Sequence, residues 1–241
     1  MSAEKRERLE QVRAEIAAAC ASAGRAADSV RLIAVSKTKP WEDVRDFALF
    51  GQVDFGENYV QEALAKIQSL DTWAAFDLKA PAVNWHFIGA LQSNKAKLVA
   101  GEFSLFHALD SFSLAEKLGR AASAKGLVQD CLVEVNVDGE SSKAGIAPGE
   151  LPSFLESLNA VAGLRVRGLM CIPDPALSRS PRTPFALLRA QMEAVNASGA
   201  YREKLTELSM GMSADFADAI LEGATYVRVG TSLFGAREKK A

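Results

Sequence analysis

Short apolar runs rich in β-branched residues alternate with amphipathic stretches along almost the whole chain. The runs fall at 31–36, 53–56, 85–89, 105–109, 132–137, 166–172, 207–210 and 226–229. They are near-continuous in hydrophobicity, the pattern of strands buried on both faces. Between them, apolar positions recur at helical spacing near 41–50, 58–70, 93–100, 111–125, 149–161, 184–198 and 213–222. One more helix precedes the series over 3–27, with Leu9, Val12, Ile16 and Ala19 on one face and Gly24 as its stop signal.

Eight strands with helices between them predict a (β/α)8 barrel with an extra N-terminal helix. An open doubly wound sheet is the alternative, because alternation alone does not prove closure. No internal repeat or linker divides the chain, so one barrel domain is expected over 1–241. The 241 residues suit a fold that typically takes ~250.

Composition narrows the function classes. Lys plus Arg total 28 against 30 Asp plus Glu, a net charge of -2, which gives no electrostatic footprint for nucleic acid. No run reaches the ~18 apolar residues that span a bilayer, and the charged N-terminus has no secretory core. The expectation is a cytoplasmic protein with no membrane or nucleic-acid partner. Cys20, Cys131 and Cys171 lack the spacing of a disulfide framework or zinc site and are expected in the core. His86 and His107 have no nearby ligand pattern and are expected as packed, hydrogen-bonded core histidines.

Polar and small residues cluster where strands end, the face on which barrels carry their sites. Ser209-Met210-Gly211-Met212-Ser213 and Gly230-Thr231-Ser232-Leu233-Phe234-Gly235 end the last two strands, the usual phosphate position of such barrels. Glycine admits close backbone approach, and N–H and hydroxyl groups donate to an anion. The bland reading is turn glycine with Ser213 as a helix cap. Lys37 follows Leu32-Ile33-Ala34-Val35, so it points from the first strand into the mouth. A partly desolvated amine loses its proton more readily and can attack an aldehyde to form an imine. A solvated loop lysine is the alternative, and Lys39 could share the role. Arg228 lies two residues before Gly230, where it could meet a phosphate, a heteroaromatic nitrogen or a structural anion. Asn58 could bond a ligand or cap the next helix. The Pro-rich stretch from Pro173 to Pro184 is expected to loop over the same face.

These segments, with Phe55-Gly56-Glu57-Asn58-Tyr59-Val60-Gln61-Glu62, Trp85-His86-Phe87-Ile88-Gly89 and Leu91-Gln92-Ser93-Asn94-Lys95, resemble the pyridoxal phosphate homeostasis proteins over roughly residues 5 to 237. The resemblance implies a barrel like the N-terminal domain of alanine racemase, with pyridoxal 5'-phosphate (PLP) held as an imine on Lys37. It places Ser213, Gly230 and Thr231 on the phosphate, Arg228 on the pyridine nitrogen, Asn58 near the ring and Met210 against it. Lys39 and Lys143 stand as secondary candidates. The family's acidic residue two after Asp215 is replaced here by Ala217, expected on a helix surface.

The function implied is cofactor carriage and regulation, with exchange to apo PLP-dependent enzymes, as a monomer or weak dimer. A racemase-like enzyme is the alternative. Related racemases take a tyrosine base from a second β domain, whereas only about ten residues follow the last strand here. Tyr59, Tyr201 and Tyr226 offer no evident second base.

Overall fold

A computed structural model describes residues 2–77, 80–139, 144–174, 180 and 182–235. Lys143 and most of the stretch 175–181 lie outside the described residues, as does any test of the Pro-rich loop there.

The first helix, α1 (Ala3–Ser22), buries Leu9, Val12, Ile16, Ala19 and Cys20. The strands are β1 (Arg31–Val35), β2 (Asp54–Glu57), β3 (Asn84–Phe87), β4 (Leu105–Leu109), β5 (Gln129–Glu134), β6 (Leu164–Met170), β7 (Glu207–Met212) and β8 (Tyr226–Val229). The connecting helices are α2 (Trp41–Leu49), α3 (Val60–Phe76), α4 (Ala96–Val99), α5 (Phe112–Ala124), α6 (Leu151–Leu158), α7 (Arg182–Ser198) and α8 (Phe216–Leu221), and a short α9 (Thr231–Phe234) follows β8.

All neighbouring strands pair in parallel, and β8 pairs with β1, so the sheet closes into a barrel. Closure settles the alternative of an open sheet. It also leaves no strand edge exposed. The apolar runs are buried on both sides because helices cover the outside and side chains fill the inside. Helix α1 packs across α8, α9 and α2, and Phe47 of α2 meets Phe234 of α9 edge-on at 4.8 Å.

The register fixes which residues point inward. Ile33 pairs with Arg228, and the guanidinium of Arg31 lies 4.8 Å from the ring of Tyr226. With period-two alternation, the inward row of β1 is Arg31, Ile33 and Val35, and that of β8 is Tyr226 and Arg228. Barrel interiors stack such rows in layers. Here the lower and middle layers hold polar residues: Asp54, His86, His107, Ser209 and Arg228 are all buried.

Candidate functional site

Lys37 lies in the turn two residues beyond Val35, the last residue of β1, at the C-terminal mouth, and is half-buried. The chain turns immediately after it. Lys39 N–H donates to the Ser36 carbonyl at 3.0 Å, and Thr38 takes φ of 64°. That left-handed position in a tight turn favours glycine, and a β-branched residue there carries strain of order 1–3 kcal/mol.

The surroundings hold the turn in place. Ser36, of opposite parity, donates its hydroxyl to Glu57 Oε1 at 2.7 Å. The buried ammonium of Lys66, on α3, donates to the Ser36 carbonyl, Glu57 Oε1 and Glu62 Oε1, each at 2.7 Å. Glu62 Oε1 in turn accepts the Thr38 N–H. Burial pushes Glu57 above its ordinary range, against the pull of Lys66. The sequence reading missed this brace as a functional group; its signal was an i,i+4 Glu–Lys pair directly after a strand.

Asn58 does not cap α3, whose cap residue Tyr59 makes no side-chain bond either. Instead Asn58 Oδ1 is buried without a protein partner. Its backbone is pinned from β3: a Cβ on Gly89 would lie 2.6 Å from the Asn58 carbonyl, so only glycine fits at the end of Trp85-His86-Phe87-Ile88-Gly89.

Arg228, 4% exposed, donates Nη1–H to Ser209 Oγ at 2.6 Å and Nη2–H to the Cys171 carbonyl at 2.9 Å. Its described partners are therefore neutral, and the ion-pair reading gives way to neutral acceptors. Burial lowers its pKa, with Cys171, Glu134 and Asp215 opposing. Glu134, ending β5, is pushed up to about 7 by burial and by Asp110, with Arg228 acting the other way. Asp110 is itself raised by burial.

Ser213 lies in the turn after β7 and is not a helix cap; Asp215 takes that place and accepts the Met212 N–H at 2.6 Å. Gly230 ends β8 and precedes Thr231, the first residue of α9. A Cβ on Gly230 would make only ordinary contact with Val35 at 3.5 Å, and its φ of -114° suits any residue. The first N–H groups of α9 have no helical acceptor and are open to an anion. Met210 is fully buried one position beyond Ser209, within the stretch to Met212 where the pairing register shifts, so alternation alone does not assign its face.

The structure therefore brings Lys37, Asn58, Gly230, Thr231 and Ser213 to one end of the barrel, with Arg228 in the layer beneath. A cleft of about 230 Å³ opens there beside Glu134, Asn136, Asp138 and Ile172. A larger cleft of about 690 Å³ lies outside the barrel between α4 and α5 and takes no part in this site.

His86 and His107 are packed and hydrogen-bonded, as expected, with ring nitrogens 3.0 Å apart. All three cysteines are buried and free. Among the described residues no group of His, Cys, Asp or Glu is placed to hold a metal ion, and no helix is long and apolar enough to cross a membrane. Ala217 is exposed on α8. Tyr201 Oη accepts the Val166 N–H at 3.0 Å, and Tyr226 lines the opposite end of the barrel. Tyr59 is the exposed tyrosine, next to Asn58.

Known proteins place the chain in a family and share its fold. The family model for the alanine racemase N-terminal domain matches residues 8–238. The chain is 44% identical over 233 residues to a pyridoxal phosphate homeostasis protein of Pseudomonas aeruginosa, covering 96% of this chain and 95% of the relative. It is 42% identical to the protein of that name from Aquifex aeolicus, over 96% of this chain and 98% of the relative. PipY of Synechococcus elongatus, solved with PLP bound, superposes with a TM-score of 0.79 at 36% identity, covering 96% of this chain and all (100%) of that one. An alanine racemase of Clostridium difficile superposes with a TM-score of 0.64 at 13% identity, over 88% of this chain and 52% of that one, a likeness of fold alone.

Proposed function

Since the chain belongs to the pyridoxal phosphate homeostasis proteins, within the alanine racemase N-terminal domain family, we propose that it binds PLP covalently through Lys37 and acts as a carrier and regulator of the free cofactor. One observation carries the reading. The closing strands β1 and β8 lie side by side, so Lys37 and the Gly230-Thr231 backbone share one corner of the mouth.

The residues present fit the cofactor. PLP supplies an aldehyde, which condenses with a lysine amine to an imine with loss of water. Gly230, Thr231 and Ser213 offer N–H and hydroxyl donors to the phosphate. Charge-assisted bonds of this kind are roughly twice as strong as neutral ones, so pyridoxal lacking the phosphate binds much more weakly. The unpaired carboxamide oxygen of Asn58 is a ready acceptor near the ring, and Met210 supplies apolar contact.

Arg228 retains N–H donors beyond the two bonded to Ser209 and Cys171. A guanidinium donates and cannot accept, so a pyridine nitrogen facing it is unprotonated. An unprotonated ring is a poor electron sink, which restrains amino-acid chemistry. Tyr201 and Tyr226 are engaged away from the mouth, which leaves no second base from them. These points favour cofactor handling over racemisation. The setting is a cytoplasmic monomer or weak dimer that exchanges PLP with apo PLP-dependent enzymes.

The test pairs two assays on the purified protein. Added PLP is expected to give imine absorption, a borohydride-stable adduct that maps to Lys37, and transfer to an apo-enzyme. Racemase or transaminase turnover in the usual ~1–10³ per second range on any common amino acid would overturn the carrier reading.

A further inference from the structure

Beneath Arg228 an unbroken chain of hydrogen bonds runs down the barrel axis. Arg228 Nη1 lies 2.6 Å from Ser209 Oγ, and Ser209 Oγ lies 2.9 Å from His107 Nδ1. His107 Nε2 lies 3.0 Å from His86 Nδ1, and His86 Nε2 lies 3.0 Å from Asp54 Oδ1. Five residues from five strands take part, and each is buried. The lower end opens into a polar cleft of about 190 Å³ on the far side of the barrel, lined by Asp54, Asn84, His86 and Tyr226.

Elementary donor and acceptor counting assigns a direction to this chain. At the bottom, burial alone would raise the Asp54 carboxyl, but the hydrogen bond of His86, with Asn84 and Arg31, holds it below its ordinary value. Asp54 is thus an anion and only accepts. His86 must donate from Nε2. At the top, Arg228 only donates, so Ser209 Oγ accepts there. Burial, with the neighbouring charge of Arg228, pushes His107 well below its ordinary pKa, so it is neutral and carries one ring proton. With a single proton on His86, at Nε2 facing Asp54, its Nδ1 accepts from His107 Nε2–H, and His107 Nδ1 accepts the Ser209 hydroxyl. Each link of the chain then joins one donor to one acceptor. The reverse tautomer of His107 would aim two donors at Ser209 Oγ and leave the hydroxyl proton without an acceptor.

Tyr226 of β8 packs beside both imidazoles, with ring centroids 5.7 Å from each. Burial raises its hydroxyl to about 12, so it stays neutral and does not compete as an anion.

We propose that Asp54, His86, His107 and Ser209 are positioning residues: a one-way hydrogen-bond relay that starts at the barrel floor and locks the Arg228 guanidinium toward the cofactor ring. The proposal rests on Arg228 meeting the ring of PLP. Its lower half stands on the protein alone. Asp54 sets the direction without touching the cofactor, because each link has one arrangement that satisfies its neighbours.

The experiment begins on cofactor-free protein with nitrogen-15-labelled histidine. Long-range proton–nitrogen correlations at neutral pH are expected to show both His86 and His107 as neutral Nε2–H tautomers. His107 as the Nδ1–H tautomer or as imidazolium overturns the relay. Two variants then test reach. Ser209→Ala removes the hydroxyl between His107 and Arg228; PLP affinity is expected to fall about tenfold or more, with a shifted absorption maximum, and Ser209→Thr to restore both. Asp54→Asn, at the floor, is expected to redistribute the histidine tautomers and move the bound-cofactor absorption in the same direction. A purely structural role would lower the melting temperature of Asp54→Asn while leaving tautomers and spectrum unchanged, and that result refutes the proposal. Should wild-type protein give the expected tautomers yet no PLP absorption, the cofactor reading fails while the relay stands.

Discussion

The two ends of this barrel are made by the same eight strands, yet they treat polar groups differently. At the floor, Asp54 is met by His86 and Asn84, and Asp130 receives two bonds from Arg165 at 2.6 and 2.9 Å. At the mouth, Asn58 Oδ1 is buried without a partner, Thr38 holds a left-handed backbone, and Glu134 is pushed up to about 7. Unsatisfied and strained groups destabilise a fold and persist where they serve a ligand. The difference fits the usual division in such barrels, with stability at the floor and, on the proposed reading, binding at the mouth.

The sharpest way to break the comparison is at Lys37. Lys37→Ala is expected to abolish the imine absorption and the borohydride-trapped adduct completely while leaving the melting temperature near wild type. An adduct that persists and maps to Lys39 would reassign the amine.

Next in size is the brace outside the mouth. Lys66→Met leaves Glu57, with 0% side-chain exposure, without its cation. Removing one partner of a buried pair destabilises by about 3–5 kcal/mol, to be read by urea unfolding. A loss below 1 kcal/mol would mean that the turn carrying Lys37 is held by other contacts.

A smaller effect is expected from Glu134, and its sign distinguishes it from an ordinary carboxylate. The folded pKa near 7 lies above the ordinary glutamate value of 4.5, so the folded state binds the proton more tightly. Its contribution to stability is complete below about pH 4.5 and lost as pH rises through 7, up to about 3 kcal/mol. Glu134→Gln should flatten that decline in a pH series of unfolding midpoints. An unchanged slope would show that Glu134 is ionised throughout.

The smallest effect belongs to the floor's outer rim. Arg165→Ala removes a pair whose side chains are 42% and 24% exposed, and the expected cost is about 1 kcal/mol or less. A larger loss would erase the distinction between a brace that is buried and one that is wet.

How far these features were legible in the sequence follows from how local each signal is. The strands at 105–109 and 226–229 coincide with β4 and β8, because their ends are marked by sharp changes in polarity. Strand β5 begins at Gln129, three residues before the apolar run starts. Gln129 is buried and bonds the Phe103 carbonyl, and Asp130 is paired with Arg165, so polar residues do strand work that a hydrophobicity pattern passes over. Helix α3 runs on to Phe76, past the expected end at 70, since no glycine or proline stops it. Helix α8 starts at Phe216 instead of 213 because Asp215 takes the cap.

Lys37, Arg228 and Gly230 were visible because each sits at a strand end, where position alone suggests direction. The axial relay was not. Its members stand at 54, 86, 107, 209 and 228, and only the register of the sheet puts them in line. The faint signal was polar residues on inward parity within otherwise apolar strands.

The pairing of β8 with β1 has a consequence for biosynthesis. A ribosome delivers the lysine with the first strand and the arginine and the Gly230-Thr231 backbone with the last. Until β8 emerges, β1 is an open edge, and no anion pocket exists beside the amine. Contacts between such distant parts of the chain also form late in folding, after a large loop has been closed. On the proposed reading, cofactor capture is therefore a property of the finished ring, and a nascent or truncated chain would present the Lys37 amine without the groups proposed to select a phosphorylated aldehyde for it.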